Sequence, residues 1–400
     1  MKERIVIHVD VNNAFLSWTA VDMLKKGSKI DIRKRYAVIG GDEKERRGIV
    51  TAKSYPCKNR GVVTGESLYM ARRKCPNLEV YKGDFKIYRE YSDKMYKYLC
   101  NYSNIIERYS IDECFIEYTD SYKLFGNPIK VAYKIKEDIK KQFGFTVNVG
   151  VGNNKLGAKM ASDFQKPDMV HTLFLSEFKD KVWDMDVKEL FMIGKSTNKK
   201  LHDMNINTIG DLAKTDINFL IRHFKTFGKI MWEYANGIDN SPVEYEINDP
   251  KSISNSTVLP YNYSDIDKIN KVIRELSMEV GKRLREKKLY ASNVSIWIKY
   301  SDFSKYSKQI SLDNSISNDN DIYKHALKLF QKLWDKDRTI RGICVGVGNL
   351  NTNSDIQLSI FNNNIKNIKN DKKLQETLDA IRNKYGKDII NYADILKKNN

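Results

Sequence analysis

Cysteine is scarce and unpaired: Cys57, Cys75, Cys100, Cys114 and Cys344 are odd in number, and no two stand in a CxxC spacing. That argues against a disulfide framework or a zinc ribbon and for a reducing, cytoplasmic compartment. No apolar run approaches the roughly 18 residues that a membrane span needs, so no span is expected. The short apolar start at residues 5–9 is interrupted at Asp10, so no secretory leader is expected either. There is no short-period internal repeat, and low complexity is limited to a Lys/Asn bias in the tail. Positive charge, by contrast, is in excess: 69 Lys and Arg against 51 Asp and Glu give a formal net charge of +18. Such a surplus suits a polyanionic partner such as nucleic acid, although a Lys- and Asn-rich genome would produce it as well. With 400 residues, several domains are expected.

Two acid-bearing stretches stand out. Residues 105–118 place β-branched and aromatic runs on either side of Ser110, Ile111, Asp112 and Glu113, the pattern of a strand, a tight turn and a returning strand. On a regular strand Asp112 and Glu113 would face opposite sides. At a turn the alternation breaks, and both carboxylates can converge. Held together they repel unless something cationic lies between them, and a hard dication fits best. Taken alone, a solvated acidic turn accounts for the same residues. Near the amino terminus, residues 5–9 read as a buried strand ending at Asp10. Asn12 and Asn13 then offer an N-cap for a helix over residues 14–25. An acid between a buried strand and a helix N-terminus suits a metal–phosphate ligand, since the carboxylate takes the cation and the first-turn N–H groups take phosphate oxygens. An Asp that merely helps to cap the helix is the competing reading.

The pair HVDVNNAFLS (residues 8–17) and RYSIDECFIEY (residues 108–118) resembles the two catalytic motifs of the Y-family (translesion) DNA polymerases. GIVTAKSYPCKNRGVVTGESL (48–68) and VNVGVGNNKLGAKMASDFQKPDM (147–169) fit the same family, in the same order. The resemblance runs over residues 3–362. It implies an α+β, multidomain right-hand polymerase with a mixed or antiparallel palm sheet. The palm would take residues 1–20 and 77–171, small fingers 21–76, and a helical, helix-hairpin-helix-like thumb 172–240. A linker at 241–250 would lead to a separate α+β little finger at 251–355, then a clamp-binding motif and tail at 356–400.

The resemblance also implies roles. Asp10, Asp112 and Glu113 would be catalytic and, with the Val11 carbonyl, would hold two Mg²⁺ ions. Phe15 would be the steric gate, its ring filling the space a ribose 2′-hydroxyl needs. Tyr55, Lys58 and Lys166 would face the triphosphate. Lys155 and Lys159 are read as a solvated face or as shaping the local basic potential. Three positions depart from the family pattern: Lys58 stands where many relatives carry Arg, Met192 where the hairpin motif has glycine, and Asn255 where many have a cation. Gln357, Leu358, Ser359, Ile360 and Phe361 resemble the pentapeptide that docks bacterial polymerases on the sliding clamp, though a last little-finger strand would also bury Leu358 and Ile360. The implied partners are primed template DNA, deoxynucleoside triphosphates and the clamp, with the chain itself a monomer. No second acid constellation resembles a proofreading nuclease, and with the small fingers block the resemblance implies low fidelity and translesion synthesis. Two alternatives stay open at this point: another two-metal phosphoryl enzyme, such as a nucleotidyl cyclase or nuclease, and a catalytically silent DNA- or clamp-binding relative.

Overall fold

The computed structural model describes residues 3–43, 46, 48–245, 249–352, 365–386, 389, 390 and 392. The chain divides into two compact units, one of Met1–Asp42 and Gly48–Ile247, the other of Glu43–Arg47 and Asn248–Asn400. Among the described residues all five cysteines are free, and no helix is long and apolar enough to cross a membrane.

The first unit opens with strand β1 (Val6–Val11) and helix α1 (Ala14–Lys25). Then come β2 (Ala37–Gly40), β3 (Val50–Lys53), α2 (Tyr55–Asn59), α3 (Leu68–Lys74), β4 (Glu79–Tyr81) and α4 (Phe85–Leu99). The acidic hairpin is β5 (Ile106–Arg108) and β6 (Glu113–Glu117), as its pattern predicts. It is followed by α5 (Tyr122–Phe125), α6 (Pro128–Phe143), β7 (Val147–Gly152), α7 (Lys155–Asp163) and β8 (Val170–Leu173).

The main sheet has the order β5-β6-β1-β7-β8, antiparallel except for the β7–β8 pair, so it is mixed. Strand β1 is central and buried along its whole length. Ile7, Val9 and Val11 join one core with Tyr88, Tyr91, Met95 and Leu99 of α4 and with Ile135 and Ile139 of α6. The aromatics of α4 therefore serve packing, as their helical spacing suggests. Asn127 caps α6 by accepting from the Ile129 and Lys130 N–H groups, Pro128 takes the first turn, and Gly144 at φ 84° ends it. A smaller sheet runs β3-β2-β4. Its parallel β2–β4 pairing carries the sheet of the expected fingers segment past residue 76.

Five further helices, α8 (Leu175–Val182), α9 (Lys195–His202), α10 (Ile209–Lys214), α11 (Ile217–Phe224) and α12 (Thr226–Ala235), share one core. Met231 lies inside it, with Trp232 and Tyr234 packed against it, the structural role their sequence suggests. The expected linker begins as packed chain. Val243 is buried with Val6, Phe115 and Ala158, and the Glu244 N–H donates to Glu107 (2.8 Å).

The second unit consists of β9 (Ser252–Tyr263), α13 (Ile266–Glu286), β10 (Tyr290–Tyr300), β11 (Lys305–Ile316), α14 (Asp319–Leu333), β12 (Ile340–Asn351) and α15 (Ile365–Tyr385). Its antiparallel sheet has the order β11-β10-β12-β9. Val294, Ile296 and Ile298 enter the core with α13 and α14, while the alternate residues Ser295, Trp297 and Lys299 stay partly exposed. Asn255 lies opposite Val345 on β9. In the cation cluster at the end of α13, Arg285 is not a surface group: it is largely buried and paired with Asp319 (2.8 Å) and Asp379 (2.6 Å).

Candidate active site

Asp10 lies directly opposite Glu113 in the β1–β6 ladder, and His8 opposite Phe115. Residues opposite each other share a face, as do residues two apart on one strand, so His8, Asp10 and Glu113 lie side by side. The Tyr109 and Ser110 N–H groups both donate to the Glu113 carbonyl (3.0 and 3.2 Å), closing the turn. Asp112 sits within that turn, outside the strand alternation, and its carbonyl accepts from the Val11 N–H (3.1 Å). The Ser110 hydroxyl donates to the Asp112 carboxylate (2.6 Å). The bend thus brings Asp112 and Glu113 to the end of β1, where Asp10 is.

A cavity of about 370 Å³ opens here. Asp10, Val11, Phe15, Tyr55, Lys58, Asp112, Glu113 and Lys166 all line it, which gathers every expected catalytic, metal and triphosphate residue at one place. Thr51, Lys53, Thr64, Lys159 and Asp163 also line it. Phe15 is held against the Tyr88 ring, stacked at 4.5 Å and 15°. Lys58 Nζ lies 5.7 Å from the Tyr55 ring centroid.

Two expectations need correcting. Lys155 and Lys159 do not form a solvated face. Lys159 is only 7% exposed and reaches Glu113 (3.1 Å), Asp163 (3.4 Å) and Asp10 (3.5 Å). Lys155 is half-buried and paired with Glu107 (2.6 Å). The reason is that α7 lies directly on Gly150 and Gly152 of β7 through Gly157, Ala158 and Ala161, so its lysines face carboxylates rather than water. The N-cap of α1 is also different. Asn13 takes that position at φ 49° without a capping side-chain bond. Asn12 is buried, donating to Asn148 (3.1 Å) and accepting from the Asp168 N–H (2.9 Å).

The electrostatics follow from this crowding. Burial pushes the Asp112 carboxyl up against the Ser110 hydrogen bond, and Asp10 and Glu113 add to the rise. Burial would also raise Glu113, but contact with His8 and the Lys159 ammonium hold it down at about 2. Burial alone would lower Lys166, yet the Asp10 and Asp163 carboxylates raise it, with Lys166 Nζ 2.7 Å from Asp10. Burial pushes the Tyr55 phenol up to about 12, so it is a proton donor at neutral pH.

Sequence reasoning missed His8, Lys53 and Asp163 and undervalued Lys159. A polar residue two positions before Asp10 on a buried strand was the available signal for His8. A lysine set among Gly157, Ala158, Met160 and Ala161 was the signal for Lys159. The clamp-like residues Gln357, Leu358, Ser359, Ile360 and Phe361 lie outside the described residues.

Among the described residues, no three His, Cys, Asp or Glu side chains are closed around a common metal position. The donor set nevertheless suits a hard dication: carboxylate and carbonyl oxygens line one cavity, and the raised Asp112 marks negative charge in need of a counter-charge. Carboxylates on adjoining strand ends, faced by lysines and a phenol, make a site suited to phosphate chemistry.

The comparisons with known proteins narrow that class. The model of the impB/mucB/samB family matches residues 9–163, and that of the impB/mucB/samB family C-terminal domain matches residues 250–360. The chain is 47% identical over 395 residues to a DNA polymerase IV of Clostridium acetobutylicum, covering 99% of each protein. It is 36% identical over 390 residues to a DNA polymerase IV of Acetivibrio thermocellus, covering 96% of this chain and 95% of the relative. A solved Y-family DNA polymerase chimera shares the fold, with a TM-score of 0.75 at 24% identity over 87% of this chain and 100% of that one. The chain therefore belongs to the impB/mucB/samB family and is a DNA-directed DNA polymerase of the Y-family.

Proposed function

We propose that the chain extends a primer 3′-hydroxyl on a template with deoxynucleotides at low fidelity, in translesion synthesis. The observation that carries the reading is the single cavity shared by Asp10, Asp112, Glu113, Phe15, Tyr55, Lys58 and Lys166. Asp10, Asp112, Glu113 and the Val11 carbonyl would hold two Mg²⁺ ions. When bound, these would lower the pKa of the 3′-hydroxyl and neutralise charge on the triphosphate.

The remaining work falls to the chain's own groups. Tyr55 donates its phenolic proton to a phosphate oxygen, and Lys58 and Lys166 supply positive charge around the phosphates. Lys58 presents a point charge where a guanidinium would present a fork, so it orients the phosphates less tightly. The first turn of α1, uncapped by any side chain, offers its N–H groups to the same phosphates. The Phe15 ring, backed by Tyr88, lies under the sugar and excludes a 2′-hydroxyl by collision. The oxygen of the 3′-hydroxyl bonds to the α-phosphorus as the bond to the β-phosphate oxygen breaks, and pyrophosphate leaves. Residues 172–240 and 251–355 would grip the DNA as thumb and little finger, and residues 357–361 would dock on a sliding clamp.

Primer extension with Mg²⁺ on undamaged and abasic templates tests this reading. Wild type is expected to extend both, Asp112→Ala to be inactive, and Phe15→Ala to admit ribonucleotides. A wild-type chain that binds primed DNA but never extends it, whatever dication is supplied, would sink the proposal.

A further inference from the structure

We propose that His8, backed by Ser162, is a positioning residue that holds the Glu113 carboxylate at the active site. The proposal rests on the function argued above and adds a residue to its machinery. His8 has no exposed surface, and its ring packs on Phe115 with centroids 4.4 Å apart. Packing alone would be served as well by a phenyl ring. The two nitrogens, however, both face polar groups: Nδ1 lies 2.8 Å from Ser162 Oγ, and Nε2 lies 3.3 Å from Glu113 Oε2.

Nε2 and Oε2 are both buried, and among the described residues neither meets hydrogen-bond geometry with any group, although they lie 3.3 Å apart. Buried polar atoms seldom go unpaired, so the two are each other's natural partner. Lys159 Nζ, 3.1 Å from the same carboxylate oxygen, adds charge but is also shared with Asp10 and Asp163. A flexible ammonium divided among three acids sets no direction. A ring fixed in a strand does.

The proton position follows from the partner. An ionised Glu113 can only accept, so a hydrogen bond across the 3.3 Å contact requires the ring proton on Nε2. A neutral ring then accepts at Nδ1 from the Ser162 hydroxyl at 2.8 Å, which turns there from the Lys159 carbonyl to which it otherwise donates (2.7 Å). This arrangement parallels the way an outer partner fixes the tautomer and aim of a ligand-bearing group.

The test combines kinetics with a readout that needs no bound ion. In metal-free wild type, ¹⁵N NMR of the imidazole is expected to show a protonated Nε2 and an accepting Nδ1. His8→Phe is expected to fold and to lower kcat by about 10- to 100-fold, the usual cost of losing such a partner, with KM for the deoxynucleotide nearly unchanged. His8→Gln, which can return an N–H to Glu113, is expected to recover part of that loss. Ser162→Ala is expected to abolish the fixed tautomer and to lower kcat in the same direction. A folded His8→Phe with wild-type kcat, or a ring protonated on Nδ1, overturns the proposal. If His8→Phe does not fold, Ser162→Ala decides: wild-type kcat there overturns it as well. A wild-type protein that never extends primers fails at the level of the polymerase reading, which the Asp112→Ala control separates from a failure of His8 alone.

Discussion

Met192 has a backbone φ of 75°, in the left-handed region that suits glycine and costs a side chain about 1–2 kcal/mol. It is 58% exposed, so packing returns little of that cost. A non-glycine residue is thus held at this position under strain. Met192→Gly is expected to raise the melting temperature by about 1–3 °C in calorimetry, because relief of strain exceeds the entropy a glycine loses on folding. Asp112 offers a sharper case. Its pKa is raised in the fold, so the folded state favours the protonated form, and ionisation above that pKa weakens folding. For this group, stability returns as pH falls through the raised value. Glu113 has the opposite sign: its stabilisation is complete above the ordinary carboxyl range and is lost as pH falls toward about 2. Asp112→Asn removes a costly charge. Without divalent ions and at neutral pH it should melt higher than wild type, while primer extension falls by more than about 100-fold, beyond what loss of a supporting residue costs. A melting point below wild type in EDTA would show that Asp112 carries no such penalty.

At the scale of elements, the site depends on how closely α7 lies on β7. Gly150 makes that approach possible, since a Cβ there would collide with the Ala158 carbonyl and the Ser162 amide of α7. Backbone cannot yield as a flexible side chain can. Gly150→Ala is therefore expected to destabilise the first unit by about 3 kcal/mol or more, at the upper end of overpacking costs. Because α7 carries Lys159 and Ser162, the same change should lower kcat at temperatures where the protein is still folded. Urea denaturation and single-nucleotide incorporation, run side by side, check both parts. Wild-type values in either would show that the helix has room to shift without disturbing the carboxylates.

For the molecule as a whole, the described part of the tail is an integral piece of the second unit. Along α15, Gln375 donates to Asp319 (2.9 Å), Asp379 pairs with Arg285, and Arg382 lies 3.6 Å from Asp319. Asp319 is 1% exposed, so this lock is polar, buried and mutually satisfied. Gly281 leaves room for it, since a side chain there would strike the Asp319 carboxylate. Breaking a buried pair from one side costs about 3–5 kcal/mol, because the remaining charge stays buried. Arg285→Ala is expected to lose that much stability and to speed hydrogen exchange across residues 374–386. Unchanged exchange in α15 would show that the helix is held by other contacts.

Strand and helix periods are local properties of the chain. The hairpin at residues 106–117 and the helix that follows Asn13 were therefore legible, as were the acids, whose motif order marks the family. That Asp112 and Glu113 can converge was legible too, because a turn next to a strand breaks the alternation of side chains, while their meeting with Asp10 was implied only by the family resemblance. What stood beside those acids was not. His8 and Lys159 acquire their meaning from contacts between segments far apart in sequence, the β1–β6 register and the reach of Lys159 to Glu113, and Asp163 from the Lys166 ammonium it shares with Asp10. The attachment of α15 was hidden for the same reason, since Arg285, Asp319 and Asp379 come from three separate helices. Local pattern tells which side chains carry chemistry. Only long-range packing determines which of them share a low-dielectric space, and there the meeting of charges decides their protonation, their aim and their use.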